Sequence, residues 1–205
     1  MGVIRKMCGM CRDCFPPTIA RVPKVQVTVH SQELPITSDS TAARLIAVLL
    51  PRGQRWSPTL ARLDQLYRGQ MSARFEQERF EAEMDDSILI ALHDGTSEPL
   101  QLLVIGVGDD QDDMQLCCSF GRAVNEAYEL NVERLLLDAT ACKLKNARDC
   151  GHILRCRTSK ESNTMGKTKL KQLDVFCREA DAAMLSEGAL DGTYFCMFCD
   201  FPVEE

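Results

Sequence analysis

Three cysteines raise the first question of chemistry. Cys8, Cys11 and Cys14 stand as C-x-x-C-x-x-C, a spacing that suits thiolate ligands to zinc or an iron–sulfur cluster. The same thiols could instead be acylation sites. A metal needs a fourth ligand nearby, and the surrounding tail offers none. Cys196 and Cys199 form a second C-x-x-C that could complete a four-cysteine site. They fall in an expected strand, where residues three apart point to opposite faces, so the two are poorly placed to chelate together. Cys8, Cys11 and Cys14 are therefore the candidate metal ligands, and a free cysteine-rich arm is the plainer alternative. Gly2 follows Met1, but Lys6 stands where a myristoylation signal wants Ser or Thr.

Two glycine motifs suggest phosphate chemistry and fail on inspection. "VIGVGDD" contains G-x-G after an apolar run, but Gln111 replaces the third glycine of a dinucleotide fingerprint. Aspartates open the next helix and would repel a pyrophosphate. "ESNTMGKTK" carries Gly166-Lys167-Thr168, but Glu161 stands where a phosphate loop requires glycine, and no apolar strand precedes it. His30, His93 and His152 are scattered, without paired metal spacing, and no G-x-S-x-G elbow occurs. Each histidine reads as ordinary, either satisfied or exposed.

Residues 143–171 differ from the rest in charge. Lys143, Lys145, Arg148, Arg155, Arg157, Lys160, Lys167, Lys169 and Lys171 face only Asp149 and Glu161. A charge run is often a solvated face. It can also dock an acidic partner, either RNA or the acidic surface of another protein. No aromatic interleaves with these cations, so base stacking has no support.

The elements that must position these residues follow from apolar period. Residues 1–23 are basic, cysteine-rich and broken by Pro16, Pro17 and Pro23, and read as an irregular tail. Val25, Val27 and Val29 alternate with polar residues and predict a half-buried strand. "TSDSTAARLIAVLL" reads as a capped apolar helix ended by Pro51 and Gly53. Ser57 and Pro58 open another helix, with Leu60, Leu63, Leu66 and Tyr67 on one side. The charged stretch after it suits a helix or a strand.

"SILIAL" and "PLQLLVIG" are apolar without interruption and read as central strands covered on both faces. A helix with Leu116, Phe120, Val124, Ala127 and Tyr128 on its stripe follows, then a strand in "VERLLLD". Part of 143–171 reads as helix, with "TSKESNTMGKTK" a loop. "LKQLDVFCREADAAMLSEGAL" reads as one long helix carrying Leu170, Leu173, Phe176, Ala180, Ala183 and Met184 on one side, and "GTYFCMFCDF" as the last strand. Strands alternating with helices predict an α/β fold with a mixed, mostly parallel central sheet flanked by helices on both faces. The expected organisation is a tail at 1–23, one domain at 24–200 and a stub at 201–205.

Bulk composition is consistent with this. The chain has 205 residues and is 45% hydrophobic, enough for one domain with a core. Its net charge of −6 argues against a surface devoted to nucleic acid or anionic membrane. Eleven cysteines, an odd number at irregular spacing, suit a reducing, intracellular compartment, with cytoplasm or cytoskeleton preferred over mitochondrion. Cys117, Cys118, Cys142, Cys150, Cys156 and Cys177 lie in or beside apolar stretches and read as small core residues. No apolar run approaches a transmembrane segment.

Set in order, "LQLLVIGVGDD", the helix "CSFGRAVNEAYELNVERLLLD" and the ending "READAAMLSEGALDGTYFCMF" resemble the amino-terminal domain of leucyl aminopeptidases. The resemblance covers about residues 25 to 200 and implies a macro-like α/β sandwich. In that family the two-metal centre lies in a carboxy-terminal domain, in motifs such as "NTDAEGR". Here "NTMGKTK" departs from that motif and lies in the other domain, so no catalytic residue carries over.

The resemblance therefore implies a pseudoenzyme: a domain that ends where the family's linker begins, used as a structural or interaction subunit without cofactor. The expected setting is a larger cytoskeletal, flagellar or ribosomal assembly. Two alternatives remain at this stage, a macro-like module for a nucleotide or ADP-ribose, and a zinc or iron–sulfur protein using the tail cysteines.

Overall fold

The clearest consequence of the sequence is the strand Arg44–Leu50, "RLIAVLL". Its residues from Leu45 to Leu50 are all buried. Leu45, Ala47 and Leu49 enter one core, and Ile46, Val48 and Leu50 enter another on the opposite face. A strand covered on both faces has no polar positions, so it carries no alternation. That is why this segment, expected as a helix, is a strand: a short apolar run has no period that separates the two.

The computed structural model describes residues 25–37, 43–54, 56–84, 86–95, 98–108, 113–164 and 169–191. The expected tail, the closing strand with Cys196 and Cys199, and the stub lie outside these residues. Six strands are described: β1 (Gln26–His30), β2 (Arg44–Leu50), β3 (Ser87–Leu92), β4 (Leu100–Gly106), β5 (Arg134–Asp138) and β6 (Gln172–Phe176). Five helices accompany them: α1 (Pro58–Leu66), α2 (Gln70–Glu78), α3 (Asp113–Glu129), α4 (Ala147–Thr164) and α5 (Glu179–Leu190). The sheet order is β1-β6-β5-β2-β4-β3. Every neighbouring pair is parallel except β3 against β4. The fold is thus α/β with a mixed, mostly parallel sheet.

Helices lie on both faces. Phe120 and Val124 of α3, Ile153 and Leu154 of α4 and Leu185 of α5 join the core that takes Leu45, Leu135 and Val175. Leu60 and Leu63 of α1, with Met71 and Phe75 of α2, join the core on the other face with Ile46, Leu102 and Leu136. The Ser57 hydroxyl accepts from the Leu60 amide and caps α1, as its position before Pro58 predicts. The charged stretch after α1 is helical. Its start is capped from a distance: Asp64 Oδ1 accepts from the amides of Met71 and Ser72, both at 3.0 Å.

Three further expectations change. β3 is an edge strand rather than a central one, and its burial alternates, with Ile88, Ile90 and Leu92 inside and Leu89 exposed. Residues 158–164, expected as loop, continue α4. The single long helix over 170–190 is instead β6 followed by α5, separated by Cys177 and Arg178. Leu173 and Val175 face one core while Phe176 joins the other, a period of two. Leu170, Leu173 and Phe176 happen to fall at helical spacing and conceal it.

Candidate functional site

A cleft of about 890 Å³ lies at the amino-terminal ends of the parallel strands. Arg44 begins β2, Arg134 begins β5 and Gln172 begins β6, and all three line it. Glu98 and Gln101 supply the β4 side, and Glu133 with Lys169 and Lys171 supplies the rim before β5 and β6. Arg44 and Arg134 are direct register partners on adjacent strands. Like charges directly opposite one another weaken a sheet.

Each arginine has an acidic neighbour. Arg44 pairs with Glu98, both more than half exposed. Arg134 Nε donates to Asp174 Oδ2 at 2.8 Å, and the Asp174 side chain is buried. Asp174 also accepts from Gln172 Nε2 at 2.8 Å, and His30 Nε2 lies 3.2 Å from its Oδ1. Burial pushes the Asp174 carboxyl up, but the bonds from Arg134, His30 and Gln172 outweigh it and hold the group below its ordinary range. Lys171 Nζ pairs with Glu133 at 3.1 Å in the open. Arg44 has φ 67°, a left-handed conformation that non-glycine residues rarely adopt and that tends to mark functional positions.

At the opposite end of the sheet a smaller cleft of about 460 Å³ lies beyond β5 and β6, lined by Leu144, Arg148, Asp181 and Met184, while the end of β4 is closely packed. Gly106 ends β4, and a Cβ there would strike the backbone of Ala82 and Glu83. The first glycine of "GVG" serves this close chain approach. Asp138 ends β5, and its Oδ1 accepts from the Thr140 amide at 2.9 Å and hydroxyl at 2.6 Å.

Among the described residues, the basic side chains singled out from sequence do not form one patch. α4 has 18 residues and spans about 27 Å, so it carries the chain from one end of the sheet to the other. Lys143 and Lys145 lie exposed beyond the carboxyl end of β5. Arg148 pairs with Glu187 at 2.9 Å and Asp191 at 3.2 Å, and Arg155 donates to the Asp191 carbonyl. Arg157 is buried beside Gly121. Of the described residues of this run, Lys169 and Lys171 reach the cleft. Lys167 and the Lys160 side chain lie outside the described residues, as do Cys8, Cys11 and Cys14.

Arg44 and Arg134 were missed from sequence because nothing local marks them. They meet only through the pairing of β2 with β5. Among the described residues no group of three His, Cys, Asp or Glu could hold a metal. His152 Nε2 lies 3.0 Å from Cys156 Sγ one turn along α4, His93 is exposed, and Cys117, Cys142, Cys150 and Cys177 are buried as expected. Cys118 and Cys156 are half-buried. No described helix is long and apolar enough to cross a membrane.

No family model and no curated protein sequence matches the chain. Among solved structures, a tomato leucine aminopeptidase mutant is similar, with TM-score 0.58 and 14% identity over 84% of this chain. Two structures of the bottromycin maturation enzyme BotP, one in complex with Mn, cover 71% of this chain at 14% identity, with TM-scores 0.49 and 0.47. The chain spans 37% of the tomato protein's length. At this identity the likeness defines a distant fold relation to leucine aminopeptidases.

Proposed function

We propose that this chain is a non-catalytic interaction subunit built on the amino-terminal domain fold of leucine aminopeptidases. The observation that carries this reading is the position of the cleft. Open α/β sheets place ligands and chemistry outside the carboxyl ends of their strands. Here the cleft of about 890 Å³ is at the amino ends, the cleft beyond the carboxyl ends of β5 and β6 is about half that volume, and the turn after β4 is packed against residues 82–84. Binding to a partner uses such a surface without a reacting centre. The same packing weighs against a nucleotide or ADP-ribose at that turn. The buried free thiols of Cys142 and Cys177 suit a reducing compartment, and a cytoskeletal, flagellar or ribosomal assembly remains the expected setting.

The test is enzymatic and hydrodynamic together. The full chain with added manganese or zinc should not hydrolyse leucyl p-nitroanilide above the metal-only blank. Recovered from its own cells, it should elute well above the 22.9 kDa of the monomer. Metal-dependent hydrolysis, or elution as a monomer, would overturn the reading.

A further inference from the structure

We infer that the outer edge of β3 pairs with the same edge of a second copy of this chain, antiparallel across a two-fold axis at Leu89. This edge is separate from the cleft, so the inference stands apart from the reading above.

The backbone decides which residues can pair. The Gly106 amide donates to the Asp86 carbonyl at 2.8 Å. In an antiparallel ladder, residues alternate between bonding the neighbouring strand and pointing away from it. Ile88, Ile90 and Leu92 therefore bond to β4, while Ser87, Leu89 and Ala91 turn their amides and carbonyls outward. No described strand lies beyond them. His93 continues the outward set, and Gln70 closes it. Gln70 Nε2 donates to the His93 carbonyl at 2.7 Å, and the His93 amide donates to Gln70 Oε1 at 3.0 Å. The side-chain amide stands where a neighbouring strand would stand. The open edge is thus limited to Ser87, Leu89 and Ala91.

Nothing in the strand guards that edge. Sheets protect exposed edges with lysine, proline, charge or a bulge. "SILIAL" has no charged residue, proline or glycine, and its register with β4 is unbroken. The other edge strand, β1, carries polar Gln26, Thr28 and His30 instead. Leu89 is 38% exposed, and Ala91 is exposed on the same face.

The order of residues points to a second copy. The stretch is nearly symmetric about Leu89, with Ile88 and Ile90 beside it and the small Ser87 and Ala91 beyond. A two-fold axis there sets Leu89 against Leu89, Ile88 against Ile90 and Ser87 against Ala91, with no like charges opposed. This register uses every outward residue and leaves His93 to Gln70. It also sets odd positions against odd ones, so each face of the sheet continues into the same face of the copy. A partner of different sequence would draw no benefit from that symmetry. Both ends of the described fold lie at the far edge, since Val25 leads into β1 and α5 packs beside β1.

The experiment is sedimentation velocity of the purified full chain under reducing conditions, from low to high concentration. The mass should rise from 22.9 kDa toward twice that value. Leu89→Lys and Ala91→Lys should each weaken association about fivefold or more, by placing charge in the seam. Leu66→Lys alters a leucine that is 54% exposed on α1 and should leave association unchanged. Circular dichroism melts confirm that the variants fold. Register is read by oxidising Leu89→Cys with copper phenanthroline. Opposed Cα atoms at this position would be about 5.5 Å apart, within reach of a disulfide. Mass spectrometry should find a dimer joined through position 89. Ala91→Cys should give no such link through position 91, where the two copies are offset by about 13 Å along the strands. A chain that stays monomeric at the highest concentration, association unchanged by both lysine variants, or a link through position 91 and none through 89 would overturn the inference.

Discussion

Arg134 on β5 and Asp174 on β6 are joined by a 2.8 Å bond from Nε to Oδ2, and the aspartate side chain is only 3% exposed. The bond crosses between neighbouring strands two residues out of register, since Arg134 pairs with Gln172 and Asp174 with Leu136. It links the cleft to the interior of the sheet. Removing the arginine leaves a buried carboxylate without its guanidinium partner, at about 1–3 kcal/mol. Arg134→Ala should therefore lower the unfolding free energy by that amount, read from urea denaturation.

The same carboxylate makes stability depend on pH. Its folded pKa lies below the ordinary 3.8. A depressed value means the folded state favours the charged form, so the stabilisation is complete above 3.8 and fades as pH falls through the folded value. The difference in urea midpoint between the parent chain and Asp174→Asn should be constant from pH 7 to about 5 and shrink below about pH 4. A difference that grows on acidification would contradict this.

How much of this was legible in the sequence depends on what each segment reports. Ser57-Pro58 announced a helix start because a cap and a first-turn proline act locally. Val25, Val27 and Val29 announced a half-buried strand through their alternation, and the structure places it at the sheet edge. β2 did not announce itself, because burial on both faces erases the period that would separate strand from helix. Segment 170–190 misled because Leu170, Leu173 and Phe176 are three apart by accident of two adjoining cores. The cleft was half legible: Lys169 and Lys171 stood in the basic run, while Arg44 and Arg134 lie 90 positions apart and meet only by strand pairing. The ion pairs of Arg148 with Glu187 and Asp191, and the bond from Arg155 to the Asp191 carbonyl, could not be read from composition at all.

Helix α4 meets α5 at two glycines. A Cβ on Gly151 would strike the Leu185 carbonyl, and a Cβ on Gly188 would strike that of Arg148. Backbone cannot move aside as a side chain can, so either alanine must separate the helices. Gly151→Ala and Gly188→Ala should each destabilise by about 3 kcal/mol, whereas Ala183→Ser on exposed α5 surface should change stability by less than about 0.5 kcal/mol. Thermal melts of the three variants make the comparison.

Asp64 caps α2 although it belongs to α1. Its Oδ1 takes two amides, and its Oδ2 accepts from the Ser72 hydroxyl at 2.5 Å. Gly69 precedes α2 and has no side chain for the task. Asp64→Ala should cost about 1 kcal/mol, measured by urea denaturation, and Asp64→Asn should recover part of it.

Cys142 and Cys177 should resist alkylation. Burial pushes both thiols up, Cys177 to about 11 and Cys142 further. The thiolate is the reactive form, so little of either is reactive at pH 8. Mass spectrometry after iodoacetamide treatment should find the peptides of both residues unmodified in the native chain and modified in urea. Rapid native labelling of Cys142 would show that its site is open.

The central claim, an interaction subunit that holds its partner at the amino ends of the strands, is tested most directly by cross-linking mass spectrometry. A carboxyl-to-amine cross-linker is applied to the tagged chain purified with its assembly. The account predicts that Lys169 and Lys171 join to glutamate or aspartate side chains of a partner. Cross-links to a partner that come only from Lys143 and Lys145, at the opposite end of the sheet, would contradict it.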